Sequence, residues 1–389
     1  MPFDFDTPVD RRNTQSVKWN VGEHELPMWI ADMDFASPPE VVEAVRRRAE
    51  HGVFGYNFMP DTWREAIASW WARRHGFSFD PNDLLFATGV VPAVASIIRR
   101  LTNVGENIVL QIPAYNAFFP TITNNGRHVL ENPMLFENGQ YRLDFDDLEY
   151  KLSSPQTTML ILCNPHNPAG KIWSRGELAR IGELCEKYHV LVLADEIHCD
   201  LTDPGCEYTP YASVNETCRQ NSVTCMAPTK TFNLAGLQSA AAMVPNEALR
   251  SRVRAGFSTD GITGLNAFAA DATIAAYTHG DAWLDALRAY LYENKITVRT
   301  FLADQLPQLR LTPSQATYLL WLDCGALPGD KSGLAGFIRE KTGLFLSAGS
   351  AYGDPNFLRM NIACPRTLLQ DGLARLKKGI EAFEKENQI

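Results

Sequence analysis

From about Asp83 to Val244 the chain repeats one rhythm: a short apolar run, a turn, then a stretch whose apolar positions recur at helical spacing. The runs are LLFA, NIVLQI, HVLEN, TTMLILC, HVLVLAD, SVTCM and SAAAMV. Runs of this length separated by helical stretches predict strands of an α/β domain with a largely parallel sheet. Ligands of such sheets bind beyond the carboxyl ends of the strands, where loops enter helices. Polar residues at strand ends therefore carry more weight than the same residues elsewhere.

Beyond Asp281 the pattern changes. A long helical stretch, AWLDALRAYLYENKITVRTFLADQL, is followed by strand-like YLLWLDC and LFLSAG, then RMNIACP and a charged amphipathic helix to Ile389. This predicts a smaller α+β unit over residues 281–389 beside a large unit over 41–280. Residues 1–40, rich in Pro, Asp and Trp, have little periodicity and are expected as an arm lying against the small unit or across the cleft.

A length of 389 residues fits about two domains, and 45% hydrophobic with 21% charged residues is an ordinary globular composition. Lys plus Arg is 36 against 45 Asp plus Glu, a formal charge of −9, which argues against nucleic acid or anionic lipid as a partner. The run Arg46-Arg47-Arg48 lies on a helical pattern and reads as a solvated face. The N-terminus has no signal pattern and no apolar run approaches the ~20 residues that span a bilayer, so a cytoplasmic protein is expected. Eight cysteines without CxxC spacing predict reduced, mostly buried thiols rather than a metal site or a disulfide framework.

Four segments place chemistry at strand ends. In ATGVVPAVASII, Gly89 opens a helix with Pro92 in its first turn, where proline loses no hydrogen bond. Free N–H groups there form an anion site, although many helices begin at glycine without one. LILCNPHNPAGKIW closes a buried strand with two Asn-Pro pairs, so Asn164 and Asn167 are expected in fixed turns with their amides facing the strand ends. HVLVLADEIHCDL delivers Asp195 and Glu196 from an apolar strand, with His198 beyond them. A carboxylate so placed needs a cation or a strong donor to offset its desolvation. Metal ligation by DEIH is the weaker alternative, because the H-E-x-x-H spacing is missing. MAPTKTFNLAG sets the single Lys230 at a strand end with no acid nearby in sequence. Desolvation favours a neutral amine, which attacks aldehydes, so Lys230 is a Schiff-base candidate; alone, the stretch also admits a lysine reaching solvent.

In order along nearly the whole chain, Gly89, Tyr115, Asn167-Pro168-Ala169-Gly170, Asp195, Lys230 and Arg359 resemble the fold-type I pyridoxal-phosphate enzymes, the aspartate-aminotransferase superfamily. The resemblance implies a large domain on a mixed, mostly parallel sheet and a smaller α+β domain. It implies pyridoxal 5'-phosphate linked to Lys230, with Asp195 pairing the protonated ring nitrogen and Asn167 meeting the phenolic oxygen. Tyr115, otherwise a core tyrosine, would lie on the ring face and join Lys230 and Asp195 as the catalytic set. The phosphate would rest on the N–H groups of Gly89, Val90 and Val91, the Thr229 hydroxyl, and Tyr56 from a second subunit. A homodimer with shared active sites is therefore implied. Arg359 would grip the α-carboxylate of an amino-acid substrate in a two-donor fork, while Arg366 reads as structural.

Three positions depart from the aminotransferase pattern. Ala227 and Gln238 stand where a serine and an arginine usually meet the phosphate, and His198 stands where a tyrosine often meets the phenolic oxygen. Together with LPMWIADMDF, GYN, TGVVPAV and DEIHCDL, they resemble the cystathionine β-lyase type C–S lyases of the MalY/PatB group. Trp29 and Ile30 would then line the substrate mouth, unless the segment is only an arm packed on the small domain. The implied reaction is β-elimination from an L-cysteine thioether such as L-cystathionine, giving a thiol, pyruvate and ammonia. An aminotransferase would use the same lysine, and no second arginine stands in an evident position for a side-chain carboxylate. A regulatory binding protein without turnover would be signalled by loss of Lys230 or Asp195, and both are present.

Overall fold

All seven apolar runs become strands of one sheet in the computed structural model, which describes residues 3–387. From one edge the order is Leu84–Ala87, Ala240–Met243, Ser222–Met226, Leu191–Asp195, Thr157–Cys163, Asn107–Ile112 and His128–Pro133. Ala240–Met243 runs antiparallel to both neighbours, and the remaining pairings are parallel. The central runs read as continuously apolar because helices cover both faces. Leu193 packs in one buried cluster with Val94 and Ile97 of helix Val90–Leu101. Its neighbours Val192 and Ala194 point the other way, toward Leu178 and Ile181 of helix Arg175–Lys187. Each fully buried Val, Leu or Ile among them contributes about 1.5–3 kcal/mol. Helix Arg175–Lys187 starts in a capping box, the Ser174 side chain accepting from the Glu177 N–H while the Glu177 carboxylate accepts from the Ser174 N–H.

The register of the central strands aligns their ends. Cys163 pairs with Asp195, and Asp195 with Cys225, so three neighbouring strands finish in one row. The Asn-Pro loop, the DEIH segment and the PTK turn leave from that row side by side.

A second, four-stranded antiparallel sheet orders Arg310–Leu311, Leu319–Asp323, Phe357–Asn361 and Ser347–Ala348. Helices Asp281–Gln305, Leu334–Thr342 and Arg366–Asn387 accompany it; the expected helix to Ile389 covers two final positions outside the described residues. LFLSAG, expected as one strand, is two pieces. Leu344–Phe345 pairs with Leu26–Pro27, and Ser347–Ala348 pairs with the Phe357–Asn361 strand. The N-terminal segment is fastened here: Asn361 donates from its backbone N–H to Met28 O at 2.8 Å and from Nδ2 to Ile30 O and Asp32 O at 2.6 and 2.7 Å. Farther back, Asp34 accepts from the buried Lys18 at 2.7 Å, from Arg11 at 2.9 Å and from the Trp19 indole at 2.7 Å. Among the described residues no helix is long and apolar enough to cross a membrane. All eight cysteines are free and seven of them are buried.

Candidate active site

The row of strand ends opens into a cavity of about 210 Å³ whose wall includes Gly89, Val90, Val91, Tyr115, Asn167, Asp195, His198, Thr229 and Lys230. The sequence scattered these positions over 142 residues; the register and the helix start at Val90 collect them. Ala31, Tyr115 and Lys230 also line a second cavity of about 530 Å³, which holds Trp29, Ile30 and Arg359. Lys230 therefore stands where the two chambers meet. Tyr56 is in neither. It is fully exposed on a segment without regular structure, in company with Val53, Phe54 and Phe58.

The charged groups share one property: each lacks an opposite charge within ion-pair distance among the described residues. Lys230 Nζ donates instead to the carbonyl of Ala31 at 2.5 Å. Burial pushes its pKa down to about 8, the nearby Arg359 adding to the effect while Asp32 and Asp195 oppose it. Asp195 accepts only the Ile197 N–H, at 3.2 Å, and burial pushes its carboxyl up to about 6. Arg359 is 3% exposed, donates to Asn167 Oδ1 at 3.2 Å and Trp29 O at 2.9 Å, and lies 4.5 Å from the Tyr352 ring centre. Its Nε has no partner. Burial also drives His198 down to about 3, helped by Lys230 and Arg359, and its Nδ1 is unpaired. A neutral imidazole, an unpaired buried acid and an unpaired buried arginine are costly together unless a ligand meets them.

The donor set fits pyridoxal phosphate. Helix Val90–Leu101 has no side-chain cap and no acid in its first turn, so its leading N–H groups are available to an anion. A Cβ on Gly89 would meet Pro92 Cδ at 3.3 Å, which keeps the turn tight. Asp195 awaits a cationic partner, and Lys230 an electrophile. Among the described residues the cavity wall carries no arginine; Gln238 lines it and Ala227 is buried outside the lining, so the phosphate would meet N–H and hydroxyl donors rather than a second charge.

One expectation is refined. Asn167 keeps its amide in the cavity, but Asn164 turns away and donates to Glu196 Oε1 and Thr209 O, both at 3.0 Å. The reason is Glu196, wholly buried behind Asp195, whose Oε1 needs donors and also takes the Tyr211 N–H at 2.8 Å. Of the DEIH segment, Asp195 and His198 face the cavity while Glu196 turns away to Asn164 and Tyr211. His75, Cys199 and Asp200 do lie close enough to hold an ion. The Asp200 carboxylate is already occupied, accepting from Trp70, His75 and Thr231 at 2.9, 2.8 and 2.8 Å. That buried hub anchors the residue next to Lys230, and nothing in the spacing of the sequence marked it. The reading that no second arginine stands in an evident position for a side-chain carboxylate is corrected here: Arg339 of REKTGLF lines the second cavity with Arg359, and the sequence around it gave no sign of that.

The family model for aminotransferase class I and II matches residues 24–376. The chain is 42% identical over 386 residues to cystathionine beta-lyase PatB of Bacillus subtilis, covering 97% of this chain and 100% of that one. It is 34% identical to protein MalY of Escherichia coli, over 98% and 99% of the two chains. Among solved structures, cystalysin from Treponema denticola, which contains pyridoxal 5'-phosphate, superposes with a TM-score of 0.94 at 31% identity over 98% of this chain and all of that one.

Proposed function

The chain belongs to the aminotransferase class I and II family, and from that premise we propose that it is a pyridoxal-phosphate C–S lyase cleaving L-cystathionine or related L-cysteine thioethers. The observation that carries the reading is Lys230, an amine without an acid partner at the junction of the two cavities.

When bound, the cofactor supplies a ring that stabilises negative charge at the substrate Cα. Asp195 would hold the proton on the ring nitrogen, Asn167 and His198 would flank the phenolic oxygen, and Tyr115 would lie against the ring. Gly89, Val90, Val91 and Thr229 would take the phosphate. Arg359 fixes the substrate α-carboxylate, for which its position, buried and without a protein acid, is suited. Lys230 Nζ takes the Cα proton, a role suited to an amine whose burial favours the neutral form. The Cβ–S bond then breaks with its electron pair on sulfur, and the lysine proton passes to the departing thiolate. The three-carbon fragment leaves as 2-aminoacrylate, which water converts to pyruvate and ammonia.

An exposed Tyr56 among exposed apolar neighbours supports a homodimer in which the partner's site receives it. Mostly buried, free thiols support a cytoplasmic location.

Pure protein incubated with L-cystathionine and no 2-oxo acid should release homocysteine, pyruvate and ammonia in equal amounts. Product that appears only with a 2-oxo acid, itself converted mole for mole into its amino acid, would make the protein an aminotransferase. Lys230→Ala should lose the visible absorption of bound cofactor and nearly all turnover.

A further inference from the structure

Arg339 lines the larger cavity, and it is built into a layer of contacts that begins at Arg359. The Trp29 carbonyl accepts from Arg359 Nη2 at 2.9 Å. The Trp29 ring stacks on Phe345, with centres 4.8 Å apart and planes within 11°. The Arg339 guanidinium also lies over the Phe345 ring, 3.8 Å from its centre. All four residues line the same cavity.

The guanidinium is held but not used up. Glu25 takes Nε at 2.5 Å and Nη2 at 3.0 Å, while Nη1 has no hydrogen-bond partner among the described residues. With 38% of the Arg339 side chain and 21% of Glu25 exposed, the pair adds little to stability; its effect is to fix the plane of the fork. The free edge is therefore a positioned donor, and Glu25 sets a carboxylate beside it. Apart from Asn116, Ser347 and two tyrosines, the rest of the wall is small or apolar, with Ile30, Ala335, Gly336, Leu346 and Ala351 to meet a methylene chain, and Arg359 and Arg339 are its only arginines among the described residues. Such a passage has a carboxylate anchor at each end.

We propose that Arg339 is the distal specificity residue, held in place by Glu25 and taking the terminal carboxylate of the sulfur substituent. The preferred substrates are then cysteine thioethers whose leaving group ends in a carboxylate or an amino-acid head, rather than short neutral S-alkyl cysteines. This rests on the C–S lyase reading, and adds to it which leaving groups are favoured.

The test compares pyruvate release by wild-type holoenzyme, Arg339→Gln and Arg339→Lys from S-(2-carboxyethyl)-, S-propyl- and S-(2-aminoethyl)-L-cysteine and from L-cystathionine. In Arg339→Gln the kcat/KM ratio of the carboxyethyl over the propyl substrate should fall about tenfold, through KM rather than kcat, with cystathionine falling alongside. Arg339→Lys should restore part of that ratio, and the ratio of aminoethyl to propyl substrate should not fall. An unchanged carboxyethyl-to-propyl ratio, including one in which both rates drop together, overturns the proposal and leaves Arg339 as a wall residue. Wild-type enzyme releasing pyruvate from none of the four thioethers would sink the elimination reading itself, and this proposal with it.

Discussion

Asp195 and Lys230 are each buried against their own charge, and without cofactor that must show in stability. Asp195 folds with its carboxyl at about 6 against an ordinary 3.8, so its contribution favours folding at low pH and is lost as pH rises through about 6. Lys230 is depressed from 10.5 to about 8, so its contribution is present above the ordinary value and is lost as pH falls through 8. Near neutral pH both oppose folding, Asp195 by an amount on the order of 3 kcal/mol. Cofactor-stripped Asp195→Asn should therefore melt several degrees higher than the stripped wild type at pH 7.5 and no higher at pH 4. A lower melting temperature at both pH values would mean that the protein already satisfies the charge. Arg359→Lys keeps the charge but loses the fork, which is worth about 1.5–3 kcal/mol, so KM for any amino-acid substrate should rise roughly 10- to 100-fold. An unchanged KM would remove Arg359 from the carboxylate site.

Among the elements, the Asn-Pro loop is tightly seated. Gly170 has φ +64°, its carbonyl accepts from the N–H groups of Gln315 and Ala316, and a Cβ there would come within 2.2 Å of Ser314 Oγ and 2.9 Å of Ala316 O. Gly170→Ala should cost at least ~2 kcal/mol in urea unfolding, because both the backbone conformation and the space forbid it. Near-wild-type stability would show that the loop can shift without loss. The strands of the large sheet were legible because a buried strand must be apolar on both faces. The hairpin Leu135–Glu137 with Gln140–Arg142 was not, since its strands are largely exposed and carry no apolar run. Its Asn138-Gly139 turn, both residues at positive φ, was the available signal. The same limit explains the site. Residues at strand ends announce themselves by interrupting apolar runs, as Asp195 and Asn167 do. Asp200 and Arg339 act through partners far away in sequence, Trp70 and Thr231 for one and Glu25 for the other, and no local pattern records that.

At the scale of the whole molecule, the proposed sharing of Tyr56 has a direct check. Tyr56→Phe and Lys230→Ala, each nearly inactive alone, should regain part of the activity when their subunits are mixed and allowed to exchange, because one of the two sites in each hybrid is then intact. No recovery under verified exchange would place Tyr56 outside the partner's site. The fastening of the N-terminal segment bears on how a substrate is enclosed. Met28, Ile30 and Asp32 are screwed by their carbonyls to Asn361, two residues along the strand from Arg359, and the carbonyl of Trp29 steadies Arg359 itself. Grip and roof are thus one mechanical part: under the role proposed for Arg359, the residue that would hold a substrate's carboxylate is braced by the same segment that covers the chamber, so loosening either loosens both.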